Sequence, residues 1–243
     1  MSRGLRRLVT FDVTGTLLKF KQPPGAFYAQ VAAQLGLKAD PEDLQTAFKR
    51  QWTHMNKVKP NFGLKHEGWQ PWWQETVIRT FVDAKIETDH QTLFKLADTL
   101  ITKFTDSSCW APRDGAVSLL EELQKSPVTL GVVSNFDPRL HNILEACQLS
   151  KYFRFVLTSY EAGCAKPDPK IFQKALELAK IEGLQPQEAL HVGDNADLDV
   201  EGAKSAGWQT WLVENGDKNK KQGGDERKGS LIDLKEHLIE SNK

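Results

Sequence analysis

The residues best equipped for chemistry stand at the ends of short apolar runs. Leu8-Val9-Thr10-Phe11 runs into Asp12-Val13-Thr14-Gly15-Thr16, and residues 128–133 run into Ser134-Asn135. Residues 153–157 end at Thr158-Ser159, and residues 189–192 at Gly193-Asp194-Asn195. Lys166 lies in Gly163-Cys164-Ala165-Lys166-Pro167-Asp168-Pro169, a loop leading into a helix. In an open parallel sheet ligands bind outside the carboxyl ends of the strands, so these groups would face one crevice. Two carboxylates, an ammonium and small hydroxyl and amide groups suit displacement at a phosphoryl group. Asp12 would attack as a carboxylate nucleophile and split hydrolysis into two easier steps. Mg²⁺ takes octahedral oxygen ligands, for which Asp12, Asp194 and the backbone carbonyl of Thr14 are the candidates. Lys166 would hold the phosphoryl oxygens, and Ser134 and Asn135 would donate hydrogen bonds where charge develops.

Such a crevice needs a sheet with helices on both faces. The β-branched and aromatic runs at 8–11, 128–133, 153–157, 189–192 and 208–213 alternate, after residue 105, with helical spacings such as Leu119-Leu120-Leu123 and Ile143-Leu144-Cys147. Strand–helix alternation implies βαβ units and a doubly wound, Rossmann-like parallel sheet, an α/β fold. Asp40-Pro41, Asp137-Pro138 and Asp168-Pro169 read as helix starts, with a side-chain oxygen at the N-cap and proline at the first helical position. Residues 20–105 break the alternation with four helical patterns, at 27–35, 44–52, 72–81 and 93–104. The expected organisation is therefore an α/β core made of residues 1–19 and 106–243, with an inserted helical cap domain at 20–105. Trp52, Trp69, Trp72 and Trp73 fall in the insertion, where tryptophans at helical spacing read as packing residues.

At this point a resemblance becomes specific. Phe11-Asp12-Val-Thr-Gly-Thr16-Leu, Ser134-Asn135, Lys166-Pro-Asp-Pro and Gly193-Asp194 through Asp199-Val-Glu-Gly-Ala-Lys-Ser-Ala-Gly207 resemble the four ordered motifs of the haloacid dehalogenase superfamily. The helical insertion also sits where that family carries its cap. The resemblance implies Asp12 as nucleophile and metal ligand, Asp194 as metal ligand, and Thr16 and Ser134 on the phosphate with Asn135 beside them. It implies Lys166 as the charge-neutralising lysine and Asp199 as a residue orienting Lys166 or a metal-bound water. Asp197 competes for the last role, but the Gly-Ala-Lys-Ser-Ala-Gly tail sets the register on Asp199.

One position departs from the pattern. Ordinary phosphatases of this family carry aspartate two residues after the nucleophile, as general acid and base; here that residue is Thr14. An alcohol cannot move protons near neutral pH, and such help is worth roughly 10²–10⁴ in rate. The cation-pumping P-type ATPases have threonine at the same place and form a persistent phosphoenzyme. The expectation is a slow Mg²⁺-dependent phosphatase or phosphotransferase. The alternatives are a catalytically weak relative that binds a phosphorylated ligand or a protein and, behind it, a metal-free 2-haloacid dehalogenase, for which Asp194 would be superfluous.

Composition narrows the partners. Thirty-two basic residues balance 32 acidic ones in 243, so no net field recruits nucleic acid or an anionic membrane. The expected partner is a small phosphorylated metabolite, with no nucleic acid and no membrane. Cys109, Cys147 and Cys164 have neither metal nor redox spacing, and the six histidines never fall at zinc-like spacing. No apolar run nears the roughly 20 residues that span a bilayer, and Arg3, Arg6 and Arg7 precede the first strand too closely for a removable presequence. The expected location is cytoplasmic, a reading that leaves nucleus and mitochondria open. Residues 215–230, rich in Gly, Lys and Asp, read as a solvated loop.

Overall fold

The computed structural model describes residues 6–214 and 228–241, so most of the expected solvated loop, residues 215–227, lies outside the described residues. The chain divides into two compact units, Met1–Lys19 with Pro112–Lys243, and Phe20–Ala111. The first contains β1 (Leu8–Phe11), and β2 (Leu18–Phe20) carries the chain out of it.

The inserted unit is helical: α1 (Pro24–Gln34), α2 (Pro41–Val58), the short α3 (Pro60–Gly63), α4 (Trp69–Asp83) and α5 (His90–Lys103). Asp40 caps α2 as its sequence suggests, accepting from the backbone of Glu42 and Asp43, and Asp89 caps α5 from Thr92. Tyr28 stacks on Phe81 with centroids 5.9 Å apart, and Val31, Leu44, Val77 and Leu96 complete this core. Trp72 is fully buried and meets Trp52 edge-on at 5.3 Å, so the tryptophans pack on one another. α1 and α2 cross closely at Gly25, where a Cβ would lie 2.4 Å from the Gln45 nitrogen and the Pro41 carbonyl oxygen.

β3 (Trp110–Pro112) pairs with β2, and the first unit then resumes with α6 (Ala116–Leu123), β4 (Thr129–Ser134), α7 (Leu140–Ala146), β5 (Phe155–Thr158), α8 (Ser159–Ala162) and α9 (Pro169–Ala179). β6 (Ala189–Gly193), a single π-helical segment at Ala196–Glu201, α10 (Gly202–Ser205), β7 (Gln209–Val213), β8 (Lys228–Gly229) and α11 (Leu231–Ser241) follow. Six strands form one sheet in the order β5-β4-β1-β6-β7-β8, and every pair is parallel. The chain moves from β1 outward to β5, then returns to β6 on the other side of β1. That reversal is the switch point at which doubly wound sheets bind ligands. Strands buried on both faces should be continuously apolar, and β1, β4 and β6 nearly are; Thr10 and His191 are buried exceptions.

Two local expectations change. Lys228–Gly229 extends the sheet as β8, so the end of the stretch expected to be loop is strand. Asp137 does not cap α7, which begins at Leu140. Its buried carboxylate instead takes the Arg139 backbone N–H at 3.0 Å and both Nε and Nη2 of the same guanidinium, at 2.9 and 2.8 Å. A nearby guanidinium offers a charged, bidentate partner that a helix terminus cannot match.

The Gly25 crossing yields a prediction. Gly25→Ala forces backbone against backbone and should destabilise the helical unit by about 1–3 kcal/mol, the usual penalty for overpacking. Trp52, Trp69, Trp72, Trp73 and Trp110 belong to this unit, so a lowered urea midpoint in tryptophan fluorescence reports it.

Candidate active site

Asp12 follows β1 directly and stays registered to the sheet, its N–H donating to Val192 O at 2.9 Å. Its carboxylate is used asymmetrically. Oδ1 accepts from Ser134 Oγ at 2.8 Å and from Lys166 Nζ at 2.7 Å, and among the described residues Oδ2 accepts no hydrogen bond. One oxygen is thus fixed and the other left for chemistry.

Lys166 is 4 % exposed, which demands that its charge be matched. Its three N–H groups go to Asp12 Oδ1, to Asp199 Oδ1 at 2.5 Å and to Val133 O at 3.0 Å. Burial would push the ammonium's pKa down, but the charges of Asp12 and Asp199 outweigh it and raise the pKa above the usual lysine value. Burial likewise opposes the charge on Asp199, yet Lys166 and a hydrogen bond from His191 hold that carboxyl well below the usual range. Asp199 Oδ2 accepts the Asn195 N–H at 2.9 Å, so both its oxygens are engaged. Gly193 makes room for this: a Cβ there would lie 2.1 Å from Asp199 Cγ.

The loop after β1 turns sharply back, with Leu17 and Leu18 N–H both donating to Val13 O. Gly15 sits at the bend with φ +85°, and a Cβ on it would come within 2.3 Å of Asp194 Oδ2. Only glycine meets both demands. Arg113 Nη1 ties the Gly15 carbonyl at 2.8 Å, and Thr16 Oγ1 donates to Asp194 Oδ1 at 3.3 Å. Asp12, Asp194 and Asp199 bring carboxylate oxygens within 4.8 Å of one another, a donor set suited to a hard divalent cation. Within that cluster Asp199 is committed to Lys166, His191 and Asn195.

The expected residues therefore converge: Asp12, Thr16, Ser134, Asn135, Lys166, Asp194 and Asp199 join one network. Asn135 has a different part in it from the one its sequence position suggests. Its carboxamide accepts from Lys166 N at 2.8 Å and donates to Lys166 O at 2.9 Å, clamping the lysine's backbone rather than pointing to a phosphate. Asp197 is exposed, while Asp199 is buried against Lys166. Thr14 is half-buried in the same turn. Sequence reading places His191 in a strand, where it lies, but gives no part in the site to it, to Thr10 or to Arg113, whose roles depend on contacts between distant segments; a polar pair in two otherwise apolar strands was the available signal for the first two. In the helical unit Lys59 is bound by Glu67 and Glu75 at 3.0 and 2.9 Å, and Lys57 and His66 are exposed.

A sequence profile of haloacid dehalogenase-like hydrolases matches residues 6–207. The chain belongs to this family. It is 40 % identical over 208 residues to human haloacid dehalogenase-like hydrolase domain-containing protein 3, covering 85 % of this chain and 81 % of the relative. It is also 40 % identical over 214 residues to the rhythmically expressed gene 2 protein of Drosophila melanogaster, covering 85 % and 82 %. Among solved structures, a magnesium-bound HAD-hydrolase of Bacillus subtilis superposes with a TM-score of 0.71 at 18 % identity, over 97 % of this chain and all of that one. A 2-haloacid dehalogenase of Pseudomonas syringae gives 0.64 at 26 % identity, over 97 % and 99 %. Among the described residues, no helix of this haloacid dehalogenase-like chain is long and apolar enough to cross a membrane.

The charge network makes a stability prediction. Asp199→Asn should cost about 1.5–3 kcal/mol at neutral pH, the range for a hydrogen bond to a charged group. Asp199 has a folded pKa below its unfolded one, so its contribution is complete above the unfolded value of ~3.9 and is lost as pH falls toward the folded value. The urea midpoints of wild type and variant should stay separated from about pH 5 to 8 and converge in stronger acid.

Proposed function

We propose that this chain is a Mg²⁺-dependent phosphoryl-transfer hydrolase that forms an aspartyl-phosphate on Asp12 and clears it slowly. The observation that carries the reading is the asymmetric Asp12 carboxylate, with Oδ1 pinned by Ser134 and Lys166 and Oδ2 accepting no hydrogen bond among the described residues, in a cluster whose Asp12, Asp194 and Asp199 carboxylates lie within 4.8 Å of one another. Asp12 and Asp194 would hold the ion, with the Thr14 carbonyl as a further ligand. Bound there, Mg²⁺ supplies positive charge to the phosphoryl oxygens and lets two carboxylates share the pocket.

In the first step the Asp12 carboxylate attacks phosphorus, an O–P bond forms, and the bond to the substrate's ester oxygen breaks with its electron pair going to that oxygen. Lys166 and Ser134 stay on the Asp12 carboxyl throughout and orient it; Asn135 keeps Lys166 in place through its backbone. In the second step water attacks phosphorus, the acyl-phosphate bond breaks, and the Asp12 carboxylate is regenerated with inorganic phosphate. The leaving oxygen needs a proton and the water must lose one. Thr14 occupies the position from which the family's aspartate does this, so both steps proceed without that help. Asp199 does not replace it, because its oxygens are committed to Lys166, His191 and Asn195.

The substrate class in this reading is a small phosphorylated metabolite, and the helical unit, inserted just after the nucleophile, is assigned the role of cap. Carbon–halogen hydrolysis fits less well, since it leaves no task for Asp194 and the glycine that makes room for it.

Release of the aryl alcohol from a small aryl phosphate with Mg²⁺ tests the reading, because the alcohol leaves in the first step and phosphate only in the second. A burst near one equivalent per chain, followed by slow turnover, is expected. Asp12→Asn should abolish both phases, and Thr14→Asp should raise steady-state turnover by up to roughly 10²–10⁴. No burst in wild type and no gain from Thr14→Asp would instead indicate a protein that binds a phosphorylated ligand without processing it.

A further inference from the structure

Thr10 and His191 are cross-strand neighbours in the parallel pairing of β1 and β6, each two residues before Asp12 and Gly193 along its chain segment. Both are essentially fully buried in strands that are otherwise apolar. Burying a hydroxyl and an imidazole without hydrogen bonds would cost several kcal/mol (about 2–7 on transfer scales), and here both groups are bonded. Thr10 Oγ1 lies 2.9 Å from His191 Nδ1, and His191 Nε2 lies 3.2 Å from Asp199 Oδ1. Phe172 packs edge-on against the imidazole with centroids 5.1 Å apart and confines the ring.

The bonding pattern also selects a tautomer. Asp199 Oδ1 is a carboxylate oxygen already bonded to the Lys166 ammonium, so it can only accept; Nε2 must carry the proton. Nδ1 then accepts from the Thr10 hydroxyl, whose hydrogen rotates to suit. Burial disfavours the charged imidazolium and lowers the His191 pKa, consistent with a neutral ring.

We infer that His191, held by Thr10, is a positioning residue for the nucleophile: its Nε2–H fixes Asp199, which fixes the ammonium of Lys166 against Asp12. The inference rests on the phosphoryl-transfer reading for its functional consequence, but the bonding it asserts can be tested without it. Asp199 receives one donor from each of three places, β6, the turn after β6 and the Lys166 loop. Without the imidazole, Asp199 Oδ1 keeps only Lys166 and the carboxylate can pivot about its bond to Asn195. Lys166 would then no longer be confined to the direction that meets Asp12 Oδ1.

The test compares wild type with His191→Phe, which keeps a ring against Phe172 but removes the donor, and His191→Gln, whose amide N–H₂ can restore it. Mg²⁺-dependent phosphorylation of Asp12 by the aryl phosphate is followed as burst rate and as kcat against KM. His191→Phe should lower the burst rate about 10–100-fold, the usual effect of removing an outer partner of a charged site, with a smaller change in KM. His191→Gln should recover most of that loss, and a purely structural role predicts no such rescue. A nitrogen-15 histidine spectrum of the wild-type protein should show His191 as the neutral Nε2–H tautomer. A folded His191→Phe protein with an unchanged burst, or an Nδ1–H tautomer in wild type, would overturn the inference. If wild type shows no burst, the functional reading has failed; the positioning bond is then judged by the tautomer and by a His191→Phe/Asp199→Asn double-mutant cycle in urea. Non-additive midpoints support it and additive ones reject it.

Discussion

Everything at this site depends on one buried ammonium. Lys166 has no water to solvate it, so its three N–H groups require three oxygens in fixed directions. Those oxygens come from the end of β1, the end of β4 and the π-helical segment after β6, so a single charge draws three parts of the fold to one point. Removing either carboxylate would leave a charge that the interior tolerates poorly. That constraint explains features that look unrelated along the chain. Gly193 is bare because Asp199 must lie against it, and Asn135 is an amide because both its ends hold the lysine's backbone. The strand pair beneath carries a threonine and a histidine where valines would pack as well.

The second organising constraint is crowding of like charge. Three carboxylates within 4.8 Å of one another repel unless cations intervene. Lys166 answers for Asp199 and for one oxygen of Asp12. A cluster of this charge and oxygen donor set suits a divalent cation. Thr14 adds no fourth negative charge. The residue that moves no proton near neutral pH therefore also leaves the pocket with less negative charge to neutralise.

Much of this was legible in the sequence because the chemistry is tied to strand ends. Asp12, Ser134 and Asp194 each follow an apolar run, and an open parallel sheet brings such positions together. The helix starts at Asp40 and Asp168 were readable because capping is local, within two or three residues. Asp137 misled for the complementary reason: its partner Arg139 is equally near in sequence, and its backbone N–H and guanidinium together engage the carboxylate before the helix begins. The short strands β2, β3 and β8 carry too few residues to show a period. The Asn135 clamp and the His191 contact could not be read at all, since each depends on the relative height of two loops or strands far apart in sequence. Lys166 lies beside Asp12, but nothing in the order of residues says that all its hydrogens are spoken for within the protein.

The helical insertion has a consequence for how this protein is made. It leaves the α/β unit after Lys19 and returns at Pro112, and beside these points the Arg113 backbone N–H bonds Leu17 O at 2.8 Å, so the chain enters and leaves the insertion at one place. On the ribosome β1 emerges first, yet its neighbours β4 and β6 follow only after more than a hundred further residues, roughly 5–20 s or longer at ordinary translation rates. The insertion, continuous in sequence and built from local helical contacts, can fold in that interval. β1 cannot. A strand of Leu, Val, Thr and Phe with both edges unpaired waits through synthesis, and it is at this stage, rather than in the finished molecule, that the chain most needs shielding from aggregation.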